Sequence, residues 1–321
     1  MNSIKQMILS SNMYYLYRRL EFIFRYKLRY ILLGRKADER IIRKRYKNCF
    51  GVEPDLKAPK SMTEKMQWLK LYDRKEFYSV CADKYRVREI VSKYGEDILV
   101  PLLFQTEDWR ELNPENIKEF PCIVKANNGC GSYKILWDAD SVDWKKLRND
   151  AKLWIKNNHY YKSQEFQYKN IPPCFIVEKL LLTENGIPED FKLHFINGEL
   201  EFIHCGVKAQ GQNYKLTYDK NWEPLDFAWY RIHSGDVYER GAEIYKPESL
   251  DRMICIGSDI AKDFPYVRVD FYDIAGQLYF GEITLCHGSG LNKFIPAQYD
   301  HIMGKKLVLP ELDKKANAHE G

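Results

Sequence analysis

The sequence contains no CxxC pair, no clustered histidines and no apolar run near the ~20 residues that a membrane-spanning helix needs. Eight cysteines stand at positions 49, 81, 122, 130, 174, 205, 255 and 286. Cys122, Cys174, Cys205 and Cys255 fall in apolar strand or helix patterns, so buried free thiols are expected rather than disulfides or zinc ligands. That usage points to a reducing cytoplasm, and the N-terminal stretch lacks a clean signal-peptide core. Single histidines at 159, 204, 233, 287 and 301 show no partner spacing for a triad or a zinc site. Neither GxxxxGK[ST] nor GxGxxG occurs, so a Walker loop and a dinucleotide fingerprint are excluded. An RNP-like run is also missing, and nucleic acid is not an expected partner.

What is present is size and uneven charge. A chain of 321 residues, 45% hydrophobic and 14% aromatic, can bury a sizeable core and hold two or three subdomains. Residues 1–50 carry thirteen Lys or Arg against three acids, a net of +10, which leaves about −5 for the remainder of a chain whose total is +5. Within 13–33, Leu16, Leu20, Ile23, Phe24, Leu28 and Ile31 recur at helical spacing while Arg18, Arg25 and Arg29 fall elsewhere. Such a basic, aromatic amphipathic helix suits an anionic membrane surface, at the inner face of the cell membrane for a cytoplasmic protein. It equally suits a helix docked on its own domain with a solvated basic side.

Four regions are expected: a basic arm (1–50), a mostly helical region (51–118), a β-rich domain (119–310, divided into 119–182 and 183–310) and a polar tail (311–321). The segment SMTEKMQWLKLYD opens like a capping box, and a further helix is expected near 78–94. Strands are expected at 122–126, 174–181, 191–196, 199–206 and 213–219, with a helical insert near 142–158 and a long helix near 248–263. Asn197-Gly198 is a type I′ hairpin signal. Antiparallel hairpins intermixed with helices argue an α+β fold rather than a doubly wound parallel sheet.

The most informative stretch is VRVDFYDIAGQLYFGEIT, residues 267–284. Asp273-Ile274-Ala275-Gly276 reads as a type I turn ending in a left-handed glycine, which closes a three-residue loop. Even positions then pair with even positions, and Arg268, Asp270, Glu282 and Thr284 share one face. A two-residue loop would put the two acids on opposite faces. Two carboxylates that close need a cation between them, and Mg²⁺ held by carboxylates and substrate phosphates fits. A surface hairpin with a salt bridge is the plainer alternative.

Three other segments can carry chemistry. In PCIVKANNGCGSYKIL, Gly129 and Gly131 allow close backbone approach to an anion, with Lys125 and the Ser132 hydroxyl beside them; a functionless glycine turn has the same signature. In CFIVEKLLL, Glu178 and Lys179 mark either a strand's exit to solvent or a hinge for an adenine edge. In DFKLHFINGELEFIHC, Lys192 could hold a phosphate or lie on a solvated hairpin face, and His194 is expected on that solvated face.

The order of these elements resembles the ATP-grasp fold, in which two α+β subdomains clamp ATP. MTEKMQWLKLYDR, DKYRVRE at 83–89 and GEITLCHGSGLNKF at 281–294 resemble its teichuronopeptide-biosynthesis (TupA-like) branch over roughly residues 50–310. Thr284 stands where that fold usually has Asn, and His287 where the branch commonly has Pro. The resemblance implies ATP and Mg²⁺, with Asp270, Glu282 and Thr284 as metal ligands and Arg268 and Lys192 as catalytic groups. It further implies that Lys125, Gly129, Gly131, Ser132, Glu178, Lys179, Leu181 and Lys192 bind the nucleotide, and that Gly288, Ser289, Gly290 and Lys293 face the acceptor. The implied reaction is carboxylate–amine ligation through an acyl phosphate, joining an amino acid or other amine to a uronic acid of a polysaccharide precursor. A glycosyltransferase and a sugar phosphotransferase are the rival readings.

Overall fold

The computed structural model describes residues 12–209, 212–230, 236–237 and 244–311. His233, the first eleven residues of the basic arm and residues 312–321 of the polar tail lie outside them. The chain forms two compact units, Met1–Ile41 with Glu76–Pro188 and Ile42–Lys75 with Glu189–Gly321.

The first unit holds an antiparallel sheet of β1 (Leu102–Thr106), β2 (Cys122–Ala126), β3 (Tyr133–Leu136) and β4 (Phe175–Lys179) in the order β1-β4-β2-β3. Alternation along β2 buries Cys122, Val124 and Ala126 completely and leaves Lys125 on the other face. The buried face packs on Leu147 and Ala151 of the helix Trp144–Lys156, which starts where the Asp143 carboxylate accepts from the Lys146 N–H at 2.8 Å. β1 lies in the region expected to be mostly helical. It is a half-buried edge strand without alternation, so it carries no period-two signal. The helix expected near 78–94 is two, Phe77–Ala82 and Val87–Ser92. Asp83 breaks it, because its carboxylate accepts from Tyr85 N at 2.9 Å and from Asn127 Nδ2 at 2.9 Å instead of facing solvent.

The second unit contains β5 (Asp190–Ile196), β6 (Glu199–Ala209), β7 (Gln212–Tyr218), β8 (Ala228–Tyr230), β9 (Asp236–Val237), β10 (Tyr266–Ile274), β11 (Gln277–Thr284) and β12 (Lys293–Ile295). Six of them form a sheet ordered β11-β10-β5-β6-β7-β9, antiparallel except between β7 and β9, and β12 pairs with β8. Phe191, Leu193, Phe195, Val267, Val269 and Phe271 are buried on one side of the sheet. The helix Leu250–Ala261 lies against that side so closely that a Cβ on Gly257 would come within 2.6 Å of Phe195 Cζ. Asn197 and Gly198, at φ 50° and 86°, make the expected two-residue turn. The helix Met62–Tyr72 carries the full capping box: Ser61 Oγ accepts from Glu64 N at 3.2 Å and the Glu64 carboxylate from Ser61 N at 3.1 Å.

The β10–β11 hairpin corrects the three-residue loop. Ile274 pairs with Gln277, so the loop is the two residues Ala275 and Gly276, both left-handed at φ 51° and 80°. Near the turn Phe271 therefore faces Phe280, an odd residue against an even one. The register then shifts, and Asp270 faces Glu282. The extra residue is Gly281, whose Cβ would meet the Asp270 carbonyl oxygen at 3.0 Å. A bulge thus restores the even pairing that a two-residue turn alone would have destroyed.

Candidate functional site

The face of the second unit's sheet opposite the Leu250–Ala261 helix collects the charged residues of β5, β10 and β11. Arg268 is buried at its centre. Its Nε donates to Asp270 Oδ1 at 2.6 Å, and its Nη2 donates to Asp270 Oδ2 at 2.7 Å and to Glu282 Oε1 at 2.8 Å. The guanidinium so occupies the position between two carboxylates where a cation was expected. Thr284 Oγ1 donates to Glu282 Oε1 at 3.0 Å, which orients Glu282. Lys192 stands directly across the ladder from Asp270, and its ammonium pairs with Asp190.

Burial pushes the Asp270 carboxyl up to about 6, against the opposing pull of Arg268 and Lys192, so it is ionised at neutral pH. Asp190 is also raised by burial, but Lys192 more than reverses this and holds it below the usual carboxylate range. Arg268 is raised further above its already high value, because Asp270 and Glu282 outweigh its desolvation. The donors offered here, Asp270, Glu282 and the Thr284 hydroxyl, are all hard oxygens, a set that suits Mg²⁺ and not a soft metal.

His194 is not on a solvated face. It is fully buried, stacked on Phe202 with ring centroids 4.2 Å apart, and its Nδ1 lies 3.0 Å from the Tyr266 hydroxyl. Its side chain meets those of His204 and His287, with ligand atoms of all three within 4.8 Å of one another. His287 Nδ1 accepts from Arg268 Nη1 at 2.8 Å, and its Nε2 lies 2.8 Å from the Trp229 carbonyl and 2.9 Å from Asn292 Nδ2. All three imidazoles are held well below their ordinary pKa, first by burial and then by neighbouring cationic groups. His287 therefore acts as a neutral acceptor that fixes the outer arm of the Arg268 fork. Sequence spacing gave no sign of this trio, because ladder register places His194 opposite Arg268 and His204 opposite Lys192.

In the first unit, Lys125 Nζ donates to Glu178 Oε2 at 2.7 Å, and Arg88 Nη1 donates to Glu178 Oε1 at 2.9 Å. Arg88 was not anticipated, although it lies in the 83–89 run. Glu178 is buried, Lys179 is exposed and Leu181 is half-buried. The turn between β2 and β3 is braced from outside: Lys84 Nζ donates to the Gly129 carbonyl at 2.5 Å, and Asn127 ties to Asp83, to the Pro172 carbonyl and to the Cys174 N–H. Gly129 is buried, where a Cβ would press on His159 Cβ at 3.1 Å, Gly131 is exposed at φ 73°, and Ser132 is half-buried.

Gly288, Ser289 and Gly290 follow β11 as three consecutive left-handed residues, at φ 56°, 60° and 66°. Gln67 Nε2 donates to the Gly290 carbonyl at 2.8 Å, and Lys70 Nζ donates to Ser289 Oγ at 3.1 Å. A Cβ on Gly290 would sit 2.8 Å from Met66 Cβ and 2.4 Å from Gln67 Nε2, and the backbone there is left-handed at φ 66°, so packing and conformation together favour this glycine. Lys293 is exposed, with its ammonium 6.0 Å from the Phe50 ring centre.

An antiparallel α+β scaffold that sets a lysine-bearing strand before a glycine turn in one unit, and Arg-x-Asp against Glu-x-Thr on a hairpin of the other, is an ATP-grasp protein. More narrowly, the chain belongs to the TupA-like ATP-grasp family, whose model matches residues 64–308. Among solved structures it is similar to the ATP-grasp ligase PsnB bound to its minimal precursor, at 14% identity and TM-score 0.37 over 65% of this chain and 54% of that one. It is also similar to D-alanine–D-alanine ligase from Helicobacter pylori, at 17% identity and TM-score 0.35 over 72% of this chain and 62% of that one. Among curated proteins it is similar to the chaperone protein HtpG of a Shewanella species, 32% identical over 157 residues, or 48% of this chain and 21% of that protein. The chain spans about a fifth of the length of the curated relatives it matches.

Proposed function

We propose that this protein is an ATP-dependent carboxylate–amine ligase of surface-polysaccharide assembly, and that it joins an amino acid or other amine to a uronic acid. The reading rests on one observation above the rest: Arg268, Asp270, Glu282 and Lys192 are gathered on a single sheet face, with Arg268 and Asp270 buried there. In the reaction, a substrate carboxylate oxygen attacks the terminal phosphorus of ATP and ADP leaves. The amine then attacks the acyl carbon, phosphate leaves, and the amine gives up a proton.

Asp270 and Glu282 would hold Mg²⁺, which supplies neutralisation of the charge on the transferring phosphoryl group. Arg268, held by Asp270, Glu282 and His287, offers developing oxyanions its fixed positive charge and the remaining N–H of Nη1. Lys192 offers a second cation on the same face. In the other unit, Lys125 and the braced 127–132 turn offer phosphate-binding groups, and Glu178, Lys179 and Leu181 the adenine edge. Ser289 and Lys293 are assigned to the acceptor. A lipid-linked uronic acid would place the work at the cytoplasmic face of the membrane.

The test is ADP release. It should require both a uronic acid and an amine, and mass spectrometry should show an amide. ADP release with a neutral sugar alone would identify a phosphotransferase, and sugar transfer without ATP a glycosyltransferase.

A further inference from the structure

The arm helix is docked by its aromatic edge and turns its apolar stripe outward. From Asn12–Phe22 it runs through a π-helical stretch, Ile23–Lys27, into Leu28–Leu33. On the docked side, Tyr15 Oη donates to Asp150 at 3.0 Å, Arg19 donates to Asn157 Oδ1 at 2.9 Å, and Tyr30 meets the Tyr160 ring edge-on at 5.5 Å. Tyr15 and Phe22 are buried there. The other side carries Met13, Leu16, Leu20, Phe24, Leu28 and Ile31, spaced by three or four residues, and all are exposed; Phe24 and Ile31 are 64% and 65% open. Four-residue steps overshoot an α-turn, and the wider π-turn takes that drift back, keeping the stripe straight.

A helix of a soluble domain turns such a stripe to its core. This one has a second, separate face for that purpose, so the stripe is kept for another occupant. Charge selects which. Arg18, Arg25 and Arg29 are exposed beside the stripe, and residues 12–33 hold five Lys or Arg against one acid, Glu21. A second copy would bring two arms of net +10 together and be repelled. An anionic surface would be attracted, and no described helix is long and apolar enough to cross a bilayer.

We propose that residues 13–32 lie in the interface of an anionic phospholipid membrane, with Phe24 and Ile31 in the acyl boundary and Arg18, Arg25 and Arg29 on the headgroups. The inference stands apart from the ligase reading, because vesicle binding needs neither ATP nor acceptor.

The full chain should co-sediment with phosphatidylglycerol-containing vesicles at least about tenfold better than with pure phosphatidylcholine vesicles, and salt should weaken it. Phe24→Glu with Ile31→Glu should cut binding by about a hundredfold while circular dichroism stays unchanged. Phe24→Trp should show blue-shifted emission on anionic vesicles only. Failure of the wild type to sediment would overturn the proposal. So would glutamate variants that bind like wild type, or a wild-type dimer that those variants convert to monomer.

Discussion

Acidification should weaken this protein through its three buried imidazoles. His194, His204 and His287 stay neutral in the folded chain, yet each will take a proton near its ordinary pKa of 6.5 once unfolded. The folded state then binds fewer protons than the unfolded one, so stability is intact above about pH 6.5 and falls as pH drops below it. Between about pH 7 and pH 5 an imidazole that stays neutral throughout accounts for a loss of up to about 2 kcal/mol, and the trio for up to about 6. Asp270 acts in the opposite sense. Its folded pKa of about 6 exceeds its ordinary 3.8, so the folded state holds an extra proton between those values. That returns roughly 1 kcal/mol by pH 5. A net loss of up to about 4–5 kcal/mol would be a large part of the stability of an ordinary domain. Urea unfolding of wild type and His194→Phe at both pH values, followed by circular dichroism, reads this directly. The phenyl ring keeps the stack on Phe202, and the variant should lose about 2 kcal/mol less than wild type on acidification. Equal losses in the two proteins would refute neutral burial of His194.

Other outcomes follow from single contacts. Asp270→Asn keeps the shape but removes a carboxylate from Arg268 and from the proposed Mg²⁺ site, and should lower acceptor-dependent ADP release at least about a hundredfold with the fold intact by circular dichroism. Lys125→Met leaves Glu178 to Arg88 and should raise the KM for ATP about tenfold, with a smaller effect on kcat, in a coupled ADP assay. Gly304→Ala puts a Cβ 2.3 Å from the Lys60 carbonyl oxygen and 2.7 Å from Met62 N, where only backbone could yield; a stability loss of about 2 kcal/mol is expected, and an unchanged urea midpoint would contradict the packing.

Local rules were legible wherever local chemistry decides. The Ser61–Glu64 box, the Asn197-Gly198 turn and the alternation of DFKLHF are contained within a few residues, and each formed as expected. Asp270 and Glu282 do share a face, but through a tight turn corrected by a bulge, not through the looser turn that the Asp-x-x-Gly pattern suggested. Asp273 accepts from the Gly276 N–H at 2.9 Å, as an Asp at a turn does, but also from the Ser249 N–H at 2.9 Å, a tertiary contact that no turn rule contains. His194 and His204 stand ten residues apart on one hairpin, His287 lies more than eighty residues further on, and the three meet only through strand register and the left-handed loop after β11. The arm shows the same limit: its apolar series was visible, but which side would dock depended on Tyr160 and Asp150, more than a hundred residues away.

The Gly281 bulge makes the hairpin behave like a message read in frame. Deleting Gly281 would leave the two-residue tip to pair Asp270 with Glu282 directly, whereas an unbulged strand of the present length would set Asp270 against Gly281 and turn Glu282 to the other side. What carries Glu282 to Asp270 is the parity of the count from the tip, which the bulge sets by leaving one residue unpaired.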